Sequence, residues 1–99
     1  MSLRRREQLV RLARRFDALI VTDDVYDHLF WRTAPDVPMA QNRALVPRLV
    51  DIDRHLDGGP IDEFGNAMSN GSFSKIMGAG CRVGWAEGTP RLAWGVSQA

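Results

Sequence analysis

The chain has one cysteine, one lysine and one tyrosine, and no apolar run near the roughly 20 residues that a helix needs to cross a bilayer. Each scarcity excludes something. With Cys81 alone there is no internal disulfide, which suits a reducing compartment and a role for this thiol as a small apolar filler. A secretory h-region is missing, and Glu7 and Asp17 interrupt the Arg-rich start where a presequence would stay free of acids. Net charge is +1, so no basic field marks the chain as a nucleic-acid binder, although six arginines crowd between Arg4 and Arg15. The balance predicts a cytoplasmic protein without membrane or nucleic-acid partners. At 99 residues it is one small unit at most, in which large ligand clefts are seldom complete.

Along the chain, Leu9, Leu12, Ala13 and Phe16 recur at helical spacing opposite Arg4, Arg11 and Arg15, predicting an amphipathic helix over 3–16. Its charges read as a solvated face, with Glu7 and Arg11 placed for a weak pair. Ala18 to Thr22 is a continuous apolar run, as in a parallel strand covered on both faces. Asp23 follows at its carboxyl end, the edge where open parallel sheets bind ligands. Val25 to Trp31 reads as a helical turn or two, and 32–47, with Pro35, Pro38 and Pro47, as a surface excursion. Arg48 to Asp53 alternates like a strand, and His55 to Asn66 reads as loop. Strands are predicted over 67–73 and 82–87, and a final helix begins with Thr89 as cap and Pro90 as first residue.

Against twelve arginines, the single lysine stands out. A guanidinium stays protonated and does not readily condense with an aldehyde, whereas a primary amine can lose its proton and do so. Lys75 sits in Gly71-Ser72-Phe73-Ser74-Lys75-Ile76-Met77-Gly78-Ala79-Gly80, with Arg82 just beyond. Ser72, Ser74 and Arg82 are efficient donors to phosphate oxygens, and Gly78 and Gly80 let the backbone turn closely. A nucleotide P-loop does not fit, because there the lysine follows the glycines. The single tyrosine, Tyr26, lies three residues after Asp23 in Thr22-Asp23-Asp24-Val25-Tyr26-Asp27.

Together, Asp-x-x-Tyr at a strand end and Ser-x-Ser-Lys with an arginine seven residues on resemble the pyridoxal-phosphate-dependent aminotransferases of class I/II, fold type I. The resemblance implies an α/β fold: a partial, mostly parallel sheet with flanking helices, the central portion of the large, cofactor-binding domain across 1–99, the small domain being absent. Lys75 then looks like the residue that holds pyridoxal 5'-phosphate as a Schiff base and moves the substrate proton. Asp23 matches the carboxylate beside the pyridine nitrogen, and Tyr26 the phenol on the ring 3-oxygen. Ser72, Ser74 and Arg82 fall where the family grips the cofactor phosphate. The implied reaction moves an amino group between an α-amino acid and a 2-oxo acid, in a full-length protein that dimerises.

The same electron sink serves decarboxylases, β-lyases and synthases, and an aminotransferase-like regulator or silent fragment is a further alternative. Family members run to roughly 400 residues over two domains. The slice would therefore lack the upstream Gly/Ser loop, the asparagine at the 3-oxygen, the ring-stacking aromatic and the arginine for the substrate carboxylate. The isolated 99 residues are expected to be inactive. The stretch between Tyr26 and Ser72 reads as carrying a loop insertion, and Ala79 replaces a proline common in that loop. Asp51 and Asp53 would share a face on a strand without further metal donors, and His28 and His55 lack ligand spacing. Trp31, Trp85 and Trp94 read as packing residues.

Overall fold

The computed structural model describes residues 1–27, 29 and 47–99. Its elements run α1 (Leu3–Arg15), β1 (Ile20–Asp23), α2 (Leu49–His55), β2 (Ala67–Ser72), β3 (Gly84–Glu87) and α3 (Pro90–Ser97), with 3-10 turns at Leu56–Gly58, Phe73–Lys75 and Ala79–Cys81. The three strands form one sheet in the order β1-β2-β3. The first pair is parallel and the second antiparallel, making a small mixed sheet with helices, as in a piece of the α/β large domain. The excursion expected over 32–47 falls almost wholly outside the described residues, as do His28 and Trp31.

Helices α1 and α2 cover one face of the sheet. Val10, Leu49, Val50, Ile52 and Ala67 form the core, with Leu9, Ile20 and Leu56 packed against it. The buried stripe of α1 is therefore Val10 and Ala13, rotated from the expected one, and Phe16 is left 67% exposed. The strand expected over 18–22 lies at Ile20–Asp23, and its burial alternates, so only one face is covered.

Where a strand is expected over 48–53, the structure has helix α2 from Leu49 to His55, with Arg48 as its N-cap. Leu49, Val50, Ile52 and Asp53 are its buried residues, an i, i+1, i+3, i+4 set that fits a helical face as well as alternation fits a strand. Asp51 reaches back to accept from the Arg48 backbone N–H at 3.0 Å, half of a capping box. Arg48 and Arg54 both then donate to Glu87 on β3, at 2.8 Å and 2.7 Å, tying the helix across the sheet. These bonds hold the Glu87 carboxyl below its ordinary range against the opposing effect of burial. Burial raises the Asp51 carboxyl, but the hydrogen bonds from Arg48 outweigh it. Both keep the Arg48 guanidinium firmly charged despite its partial burial.

Beneath this surface lies a buried ion pair. Arg14 donates to Asp53 Oδ1 at 2.9 Å, to the Asp53 carbonyl and to the Leu56 carbonyl, while Asp53 Oδ2 accepts from the Asn66 backbone N–H at 2.7 Å. Asp53 is only 2% exposed. One carboxylate thus joins the ends of α1 and α2 to the entry of β2. At the other end of the unit, Thr89 caps α3 by accepting from the Leu92 N–H, with Pro90 in the first helical turn.

Candidate functional site

Parallel pairing puts the carboxyl ends of β1 and β2 at one edge of the sheet, with Asp23 opposite Asn70, two residues before Ser72. The alternation of β1 turns Asp23, with Val21, to the face that α1 and α2 leave uncovered. Its carboxylate makes no hydrogen bond or ion pair among the described residues. The next carboxylate points the other way. Asp24 Oδ2 accepts from the Thr22 hydroxyl at 2.5 Å and from the fully buried Ser69 hydroxyl at 2.6 Å, and its backbone N–H donates to the Asn70 carbonyl at 2.8 Å.

At Asp24 the chain leaves the sheet and turns, its carbonyl accepting from the Asp27 N–H at 3.2 Å. Tyr26 sits inside this turn, 58% exposed, where the Lys75 ammonium lies over its ring, 5.8 Å from the centroid. The single tyrosine and the single lysine are thus brought together from separate segments. Of the helical turn or two expected over 25–31, residues 25–27 are a hydrogen-bonded turn, and most of the rest lies outside the described residues.

The lysine segment is shaped by its own hydroxyls. Ser72 ends β2 and caps the 3-10 turn Phe73–Lys75, its Oγ accepting from the Ser74 N–H at 3.1 Å and lying 2.9 Å from Ser74 Oγ. Trp85 anchors this turn from below. It pairs across the sheet with Gly71, where even a Cβ would fall 2.2 Å from the indole, and its ring packs on Phe73 with centroids 5.0 Å apart. Trp85 is therefore the packing residue expected, whereas Trp94 is exposed with Arg91 over its ring at 5.0 Å.

Arg82 follows at the other end of the loop with φ 50° and ψ 32°, a left-handed conformation that is uncommon and strained for an arginine. Its guanidinium donates to the Ala79 carbonyl at 3.4 Å and is not turned onto Ser72 or Ser74. Cys81 beside it is exposed, which corrects its reading as a filler.

Several other charged residues serve the fold. Asp51 and Asp53 are bound to arginines rather than poised for a metal, and no group of three or more metal-binding side chains occurs among the described residues. Arg11 prefers a two-pronged bond to Asp57, both contacts 2.8 Å, over a simple pair with Glu7. The Thr22–Asp24–Ser69 cluster was missed in the sequence. Its signal was the Asp23-Asp24 pair itself: successive strand residues face opposite ways, so two adjacent carboxylates cannot serve one side.

Comparison with known proteins bears directly on this edge. A family model described as aminotransferase class I and II matches residues 1–98. The chain belongs to that family. An uncharacterised protein of Saccharomyces cerevisiae is 41% identical over 87% of this chain and 18% of its own length. The aromatic-amino-acid aminotransferase 1 of Thermococcus litoralis is 30% identical over 93% of this chain and 18% of its own. An uncharacterised HTH-type transcriptional regulator of Bacillus subtilis is 27% identical over 89% of this chain and 14% of its own. The chain thus spans less than a fifth of each of these relatives. No solved structure matches it.

Class I and II aminotransferases generally use pyridoxal phosphate, and the donor set at this edge suits that group: an amine, a phenol, a carboxylate with no partner among the described residues, two hydroxyls and a guanidinium. By type, such groups can supply an anion for a ring cation, donors for a phosphate and an amine for an aldehyde. No helix among the described residues is long and apolar enough to cross a membrane.

Proposed function

We propose that residues 1–99 form the central portion of the cofactor-binding domain of a pyridoxal-phosphate-dependent enzyme that moves an amino group between an α-amino acid and a 2-oxo acid. The observation that carries this reading is the meeting of Lys75 and Tyr26 at the sheet edge where Asp23 ends β1. Lys75 holds the cofactor through its ε-nitrogen and, once released, carries a proton to and from the substrate carbon. Asp23, facing away from the helices, keeps the pyridine nitrogen protonated, and Tyr26 donates to the ring oxygen. Ser72, Ser74 and Arg82 bind the phosphate, Arg82 by swinging from the Ala79 carbonyl. Pyridoxal phosphate, when bound, supplies the electron sink. The full-length protein acts as a homodimer, and the 99 residues alone do not turn over substrate.

The test uses the full-length protein. Incubation with pyridoxal phosphate followed by borohydride reduction is expected to add the cofactor mass to the peptide carrying Lys75, and Lys75→Ala is expected to abolish the adduct. Labelling spread over other amines, unchanged by that substitution, refutes the assignment. The Bacillus subtilis relative supports a second reading, a regulator that keeps the cofactor site. Adduct formation at Lys75 without amino-acid-dependent turnover favours it.

A further inference from the structure

Asp23 ends β1 and a second aspartate, Asp24, follows it; only the first belongs to the cofactor reading. We infer that Asp24 is a positioning residue, which fixes the bearing of both Asp23 and Tyr26 by clamping the last turn of β1 to β2. The inference rests on the proposed function, since it assigns Asp24 a part in holding the same cofactor.

Three anchors meet at this residue. Its carboxylate gathers the Thr22 and Ser69 hydroxyls, its N–H extends the parallel ladder to Asn70, and its carbonyl closes the turn to Asp27. Thr22 has one proton to give, and the Asp24 oxygen at 2.5 Å is nearer than the alternative Met68 carbonyl at 3.2 Å. Ser69 comes from the neighbouring strand and is fully buried, so its bond to Asp24 is a fixed interstrand tie. A strand end without such a tie frays, because its last ladder bond has no successor.

The consequence for the site follows from chain geometry. Asp23 immediately precedes the clamp and points to the opposite face, so rotation of the backbone at 24 swings its carboxylate away from any ring beneath it. Tyr26 follows within a turn whose first residue is Asp24, and the bond that closes that turn is accepted by the Asp24 carbonyl, so the turn starts from whatever bearing the clamp gives residue 24. The same substitution therefore disturbs two contacts to one ligand. Neither contact involves Asp24 itself.

The experiment compares wild-type, Asp24→Asn and Ser69→Ala forms of the full-length protein by three readouts. These are cofactor affinity by absorbance titration, visible circular dichroism of the bound cofactor, and melting temperature of the cofactor-free protein. The cofactor has no chirality of its own, so its dichroism reports how the protein orients it. Loss of a hydrogen bond to a charged group is expected to weaken affinity roughly tenfold or more, with diminished or altered dichroism in both variants. Ser69→Ala removes only one oxygen and keeps the backbone ladder, so it carries the test should Asp24→Asn fail to fold. Variants that melt lower yet bind with wild-type affinity and dichroism would make Asp24 purely structural and overturn the inference. Wild-type protein without any Lys75-dependent cofactor signal would overturn the proposed function, and this inference with it.

Discussion

The two faces of the sheet use charge in opposite ways. Under α1 and α2, carboxylates are matched to arginines at hydrogen-bonding distance: Asp53 to Arg14, Asp51 and Glu87 to Arg48, Glu87 again to Arg54. Among the described residues at the strand edge beyond, Asp23 has no partner, Lys75 lies over the Tyr26 ring, and Arg82 makes one long bond to its own loop. Paired charges hold geometry, whereas unpaired ones at a sheet edge remain available to a ligand. Arginine, with its fork of donors, makes these joins, and the lone lysine takes no part in them.

The sharpest break in this comparison is at Asp53. Replacing it with alanine strands the Arg14 guanidinium, which is almost fully buried, and leaves the Asn66 N–H without its acceptor. Removing one member of a buried pair costs about 3–5 kcal/mol. Urea unfolding of the full-length Asp53→Ala protein is expected to show that loss. A change under about 1 kcal/mol would mean that the Arg14 pair is not what joins the helices to the sheet.

The first and last helices and the three strands were legible in the sequence to within a few residues, the ion pairs that join them were not, and local pattern failed where it admits two periods. Gly71 to Arg82 was legible as a tight connection, because glycines and hydroxylated residues bound it, and the strands on either side followed. Arg48 to Asp53 misled because a six-residue window with apolar residues at 49, 50 and 52 suits either element; the Arg14–Asp53 pair that settles it spans 39 residues. Phe16 misled for a related reason: the helical stripe was chosen on hydrophobicity, and the sheet selected Val10 and Ala13 instead. Long-range partners decide both cases, and a local reading contains none of them.

A smaller effect is expected from acid. Because the folded Glu87 carboxyl is held below its unfolded value of roughly 4.3, its bonds stabilise fully above that value and are lost as pH falls through the lower folded one. Asp51 acts in the same direction. Glu87→Gln is therefore expected to lower stability at neutral pH by about 1 kcal/mol, with a shallower decline in acid, so that the two melting-temperature curves converge below about pH 4. Parallel curves across that range would show that the Arg48–Glu87–Arg54 cluster contributes nothing linked to protons.

The smallest change in stability is expected at Arg82, and with the opposite sign. Its left-handed backbone costs a side-chain-bearing residue about 1–2 kcal/mol relative to glycine, partly offset by the greater freedom that glycine gives the unfolded chain. Arg82→Gly is thus expected to raise stability by up to about 1 kcal/mol, read from urea unfolding of the cofactor-free protein. Its affinity for pyridoxal phosphate should fall, since the guanidinium is the one charged donor assigned to the phosphate. A residue kept for structure would lose stability when removed; one kept for a ligand despite local strain gains it. If Arg82→Gly were less stable and bound the cofactor unchanged, the loop arginine would belong with those beneath the helices, and the contrast between the two faces would fail at this position.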